Sequence, residues 1–134
     1  MRLLLVDDEV ELLEAWRFAL EDVGYEVDRA SHGRAALLLM QRRLPDMLVT
    51  DLMMPGMNGD ELSRTVRSHP QWVHIPILLH TSAFIDARVD VALWNAILRK
   101  PVQMELFLAT IKRISDGKKT IRFDDQRVLP VQES

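Results

Sequence analysis

The chain contains no cysteine. That excludes disulfides, thiolate metal sites and a cysteine nucleophile, and it fits a reducing compartment. It also has no long apolar run. The apolar start, Leu3-Leu4-Leu5-Val6, runs straight into Asp7-Asp8-Glu9. That is not a signal peptide, and nothing approaches the ~20 residues a spanning helix needs. There is no low-complexity tract and no repeat with a period of about 20–50 residues. Neither sign of charge dominates. A net charge of -3 and a pI near 5.8 argue against nucleic-acid binding across the surface. What is present is a chain of 134 residues, 48% apolar and 28% charged. This is enough for one domain with a real core, and a soluble, cytoplasmic protein without membrane contact is expected.

Hydrophobic period divides the chain into alternating elements. Leu3–Val6 reads as a strand buried on both faces. Leu12, Leu13, Trp16, Ala19, Leu20 and Val23 recur at helical spacing, and Gly24 ends them. Tyr25–Ala30 alternates like a half-exposed edge strand. A second helix covers Ala35–Met40 and stops before Pro45. Met47–Thr50 is a buried strand, followed by Asp51-Leu52-Met53-Met54-Pro55-Gly56-Met57-Asn58-Gly59. Asn58 and Glu61 have the spacing of a capping box, so a third helix starts near Gly59 and ends by His69-Pro70. Ile75–His80 is a fourth strand with Pro76 near its start. Phe84–Leu93 is a weaker helical pattern, and Ala96–Leu98 a short fifth strand before Arg99-Lys100-Pro101. Met104, Phe107, Leu108, Ile111 and Ile114 mark a last amphipathic helix.

Strand followed by helix, five times over, predicts an α/β fold with a doubly wound parallel sheet. Residues 1–116 make the domain. Residues 117–134 are polar, with a strand-like piece at Thr120–Phe123, and read as a tail or the start of a linker.

In such a sheet, ligands bind outside the carboxyl ends of the strands. The first strand delivers Asp7 and Asp8 there, the third Asp51, the fourth Thr81 and Ser82, and the fifth Lys100. Three carboxylates in one crevice repel one another unless a cation compensates. Hard oxygen donors suit Mg²⁺, which binds through one or two carboxylates plus substrate phosphate. A lysine and a hydroxyl beside it suit a phosphoryl group. Asp51 is then the natural nucleophile, since carboxylates carry aspartyl phosphate.

Bland readings stand beside these. Asp7-Asp8 also favour a helix N-terminus, Asp51 also forms turns, and Thr81 or Ser82 also caps a helix. Lys100 could be a solvated lysine with a buried stem. The four histidines lack metal-ligand spacing, and the seven methionines read as packing. Lys112-Arg113 and Lys118-Lys119 read as a solvated helix end and tail.

Taken together, Val6-Asp7-Asp8-Glu9, the loop from Asp51 to Gly59, Thr81 and Lys100-Pro101 resemble the receiver domain of two-component response regulators. The resemblance covers the chain to about Asp116. It implies a flavodoxin-like (βα)5 fold with five parallel strands in the order 2-1-3-4-5. It implies that Asp51 accepts phosphate from a histidine kinase or phosphotransfer protein. Asp7, Asp8, Asp51 and the main-chain carbonyl of Met53 would hold Mg²⁺, or Mn²⁺ in its place. Thr81 and Lys100 would bind phosphoryl oxygens, and the bond before Pro101 would be cis. The output face would lie on the fourth helix, fifth strand and fifth helix, acting on a downstream effector or the protein's own output domain. A homodimer through that face is a fair expectation, and direct nucleic-acid binding by this chain is not.

The sequence departs from the family at the readout. Ile97 stands where Tyr or Phe is usual, Ser82 and Trp94 where small residues are, and Val102 where Phe is common. The switch should therefore run through Ser82, Trp94, Ile97 and Pro101 without the usual aromatic. Met53 and Ala83, two residues after Asp51 and Thr81, cannot orient an attacking water, so slow hydrolysis is expected. The chain is then a signalling domain that catalyses only its own phosphorylation and slow dephosphorylation. The rivals are a receiver-like docking or dimerising module that ignores phosphate, and a hydrolase using an aspartyl phosphate. The hydrolase would want an acid where Met53 stands. A flavin carrier is disfavoured because Asp-Asp-Glu would repel the flavin phosphate.

Overall fold

The apolar run at the start of the chain forms β1 (Arg2–Val6), and the rest of the sheet is laid down on either side of it. The computed structural model describes residues 1–85, 91–117, 120–124 and 127–130. After β1 come α1 (Val10–Asp22), β2 (Glu26–Ala30), α2 (Gly33–Arg42) and β3 (Met47–Thr50). Then follow α3 (Gly59–Ser68), β4 (Ile77–Thr81), a 3-10 turn (Val91–Leu93), β5 (Ala96–Arg99) and α4 (Met104–Ser115). The expected strands pair in parallel in the order β2-β1-β3-β4-β5.

Two further strands extend that sheet. The strand-like piece at Thr120 lies in β6 (Thr120–Asp124), which pairs in parallel with β5 at Leu98↔Phe123. β7 (Arg127–Pro130) turns back antiparallel to β6. Half of the helical pattern expected from Phe84 to Leu93 falls on residues 86–90, outside the described residues, and its last three positions form the 3-10 turn. The C-terminal helix is therefore α4. β4 begins at Ile77 rather than Ile75, because Pro76 has no N–H to give a ladder, and the Ile77 N–H bonds to Asn95 Oδ1 at 2.9 Å.

Alternation along the strands sorts the core into two layers. Leu4, Val6, Leu48, Ile77, Leu79 and Ile97 face α2 and α3, with Met40, Leu62, Val66 and Trp94 packed on them. Leu3, Leu5, Val49, Leu78 and Leu98 face α1 and α4, against Leu13, Leu20, Phe107 and Ile111. The central strands β1, β3 and β4 are buried on both faces, as their unbroken apolar runs require. At the edge, Arg2 reaches β2 through Glu26 and through Asp28 at 3.0 Å, so charge blunts that side. No helix among the described residues is long and apolar enough to cross a membrane.

Candidate functional site at the carboxyl edge of the sheet

Chain order reverses between β1 and β3, and the crevice opens at the end of those two strands. The last ladder bonds set the side chains there. The Asp7 N–H bonds to Ala30 O of β2 at 3.1 Å, and the Asp51 N–H bonds to Val6 O of β1 at 3.0 Å. The Lys100 N–H bonds to Thr81 O of β4 at 2.9 Å. Asp7, Asp51 and Lys100 are thus each the first residue beyond a fixed strand, and Thr81 is the last residue of one.

The side chains converge. Carboxylate oxygens of Asp7, Asp8 and Asp51 all lie within 4.8 Å of one another. Asp7 and Asp51 are buried and Asp8 is exposed. Lys100 Nζ donates to Asp7 Oδ2 at 2.8 Å and to Asp51 Oδ2 at 3.1 Å, and stands 3.8 Å from Glu9 Oε1. Burial alone would lower the Lys100 pKa. The hydrogen bond it donates to Asp7 and the charges of Asp7 and Asp51 outweigh it, so the ammonium is held above its ordinary value. The other carboxylate oxygens are tied to local backbone. Asp7 Oδ1 accepts the Glu9 N–H at 2.9 Å, and Asp51 Oδ1 accepts the Leu52 N–H at 2.7 Å.

Thr81 ends β4 with its hydroxyl oxygen accepting the Ala83 N–H at 3.1 Å. Half of the helix that Thr81 or Ser82 was expected to cap falls on residues 86–90, outside the described residues. Ser82 is exposed beside it. The Lys100-Pro101 bond is cis, and Pro101 is exposed. Met53 is 66% exposed in the loop after Asp51. Trp94 and Ile97 are buried in the layer with α2 and α3, away from the crevice. A groove of about 390 Å³ leads to Lys100 from the α1 side, lined by Leu12, Trp16, Pro101 and Val102 among others.

Two groups carry more weight than their sequence suggested. Gly59 is the first. Asn58 caps α3, its Oδ1 accepting the Glu61 N–H at 2.8 Å. The Gly59 N–H bonds to Leu52 O at 2.8 Å. A Cβ on Gly59 would stand 2.0 Å from the Asp51 carbonyl oxygen. Only glycine lets α3 start that close to the loop. His80 is the second. It lies beneath the crevice, edge-on to Trp16 and Phe107, and its Nε2 has no hydrogen-bond partner among the described residues. Burial, with the Lys100 charge in support, drops its pKa to about 3, so the ring is neutral. Its place before Thr81 on a fully buried strand was the available signal.

The chain has counterparts among known proteins. Residues 3–112 match the response regulator receiver domain family. The phosphate regulon transcriptional regulatory protein PhoB of Rhizobium meliloti is 40% identical over 81 residues. That match takes 60% of this chain and 36% of PhoB, so the chain spans about a third of that relative's length. The chemotaxis response regulator CheY4 of Vibrio cholerae superposes with a TM-score of 0.78 at 33% identity, covering 84% of this chain and 97% of that one. The response regulator TrrA of Thermotoga maritima, solved in complex with Mg²⁺-BeF, superposes at 0.75 with 27% identity over 84% of this chain and 97% of that one. With a family match over most of its length and the flavodoxin-like sheet those relatives share, the chain belongs to the response regulator receiver domains.

Proposed function

We propose that the domain is a Mg²⁺-dependent phosphoacceptor switch in which Asp51 takes a phosphoryl group from a histidine kinase or phosphotransfer protein. The observation that carries this reading is the position of Lys100 Nζ, shared between Asp7 Oδ2 and Asp51 Oδ2 at the ends of three strands. A cation is already held where phosphoryl charge would arrive.

The donor set at the crevice fits Mg²⁺: three carboxylates, hard oxygen only, with Asp8 open to solvent. Asp7, Asp8, Asp51 and the Met53 carbonyl would hold it, and Mn²⁺ would serve in its place. When bound, the metal supplies charge that offsets the carboxylates and the phosphoryl oxygens. The Asp51 carboxylate attacks phosphorus, forming the Oδ–P bond as the bond to the donor's leaving group breaks. Lys100 passes from the carboxylates to a phosphoryl oxygen. The Thr81 hydroxyl accepts from Ala83 N–H and keeps its own proton to donate, so engaging it draws on the loop after β4.

The reading extends to the output. Residues 1–116 serve as the receiver, and residues 117–134 as an appended tail whose strands ride on the β5 edge. Ser82, Trp94, Ile97 and Pro101 are read as the residues through which the change reaches a downstream effector, an output domain or a second copy. The chain acts in the cytoplasm without itself touching nucleic acid or membrane, and its only catalysis is on its own Asp51. Phosphoryl incorporation from a small acyl phosphate, followed with and without chelator, tests the metal requirement. Incorporation that ignores chelation would contradict it.

A further inference from the structure

Ile97 replaces the aromatic that the family resemblance leads one to expect on β5, and a different large side chain lies nearby. Trp94 precedes β5 and is 4% exposed. Its indole Nε1–H donates to Ser63 Oγ at 3.0 Å, and Ser63, fully buried on α3, donates to Gly59 O at 2.7 Å. Gly59 closes the chain. Its N–H bonds to Leu52 O, and its α-carbon lies against the Asp51 carbonyl with no room for a side chain. An unbroken series of bonded groups therefore runs from the phosphoacceptor loop through the first turn of α3 to the segment that enters β5.

The pairing is sterically specific. Beside a bulky apolar residue at 63, an indole at 94 would lose both its space and its hydrogen-bond acceptor. A small hydroxyl residue supplies both. The same helix grips the same segment a second time. Arg67 donates from Nε to Leu93 O at 3.1 Å and from Nη2 to Asn95 Oδ1 at 2.9 Å. Asn95 Oδ1 also receives the Ile77 N–H of β4. A small displacement of the α3 start thus has packed, fully bonded groups to move rather than solvent.

We propose that Ser63 and Trp94 are positioning residues that couple the state of Asp51 to the segment before β5, in place of an aromatic on that strand. This rests on the phosphoacceptor reading above. Loading Asp51 shifts the loop that Gly59 leans on. The Gly59 carbonyl carries the shift to Ser63, and Ser63 carries it to the Trp94 ring. The fourth strand and Thr81 then need not act alone.

The three tryptophans make the test direct. The full chain is labelled with 5-fluorotryptophan, and the Trp94 fluorine resonance is assigned with Trp94→Phe. Mg²⁺ and beryllofluoride are added, and bound fluoride is read in the same spectra. The expected result is bound fluoride together with movement of the Trp94 resonance. In Ser63→Ala, fluoride should still bind while the Trp94 resonance stays in place. Equal movement in Ser63→Ala would overturn the relay. Amide exchange of the Trp94→Phe chain gives a second reading that does not need the Ser63 variant to fold. Protection across residues 91–95 should no longer respond to beryllofluoride, and an undiminished response would also overturn the relay. Absence of bound fluoride in the natural sequence would instead overturn the phosphoacceptor reading, and the relay with it.

Discussion

Gly59 lies against Asp51 so closely that a Cβ on the glycine would stand 2.0 Å from the Asp51 carbonyl oxygen. That contact sets where α3 begins and how the loop from Leu52 to Asn58 is folded. Gly59→Ala is therefore expected to push the loop off the end of β3. The atom it meets is backbone, which cannot yield as a flexible side chain would. A stability loss of about 3 kcal/mol is expected in urea unfolding, together with weaker Mg²⁺ binding. A variant as stable as the natural sequence would show that the loop has room the structure does not have.

Lys100 places one positive charge between two buried carboxylates. Side-chain exposure is 11% for Lys100, 9% for Asp7 and 7% for Asp51. Lys100→Met strands both acids, and the expected cost is about 3 kcal/mol in the absence of divalent ions. Millimolar Mg²⁺ should return much of that, because a cation in the same crevice replaces the missing charge. Urea unfolding with and without Mg²⁺ checks it. A loss that Mg²⁺ does not touch would mean that the lysine matters by packing rather than by charge.

His80 gives the fold an acid sensitivity. Its folded pKa is about 3 against an ordinary 6.5. The folded ring stays neutral while the unfolded ring takes a proton below pH 6.5. This contribution is therefore complete above that pH and is lost as pH falls toward 3, at on the order of 1.4 kcal/mol per pH unit. His80→Leu should remove one proton's worth of slope in that window. At pH 7, relief of the orphaned Nε2 and loss of the edge contacts with Trp16 and Phe107 should offset to within about 1 kcal/mol. Parallel stability curves for the two chains would contradict the assignment.

Ala83 sits beside Thr81, its N–H on the Thr81 hydroxyl at 3.1 Å, and Met53 is exposed in the loop after Asp51. Neither side chain can orient water. Ala83→Gln should speed loss of the phosphoryl group by about tenfold, measured as decay of the phosphorylated mass after the donor is removed. No change in the decay rate would count against this account of its lifetime.

The strands, and the residues they bring to one edge, were legible because local pattern decides them. Short unbroken apolar runs bounded by acids and turn residues suit strands of a sheet covered on both faces, so Leu3–Val6 and Met47–Thr50 placed Asp7 and Asp51 at one edge. The cap at Asn58 was legible from its spacing to Glu61. What was not legible depends on contacts between distant segments. Gly59 looked like an ordinary helix start, because its approach to the Asp51 carbonyl exists only once the loop is folded. Trp94 stood out as oversized, but its acceptor Ser63 lies 31 residues away. The sequence offered for His80 only the lack of metal-ligand spacing, while the structure buries it against Trp16 and Phe107 with no partner for its Nε2 among the described residues. The strands after α4 were foreshadowed only by Thr120–Phe123, too short a run to predict pairing with β5.

The central claim is that Asp51 is the phosphoacceptor. Intact mass of the natural chain and of Asp51→Asn, each incubated with a small acyl phosphate and Mg²⁺, tests it most directly. The natural chain should gain a single phosphoryl group and Asp51→Asn none. A natural chain that gains no mass, or an Asp51→Asn chain that gains the same phosphoryl group, would contradict it.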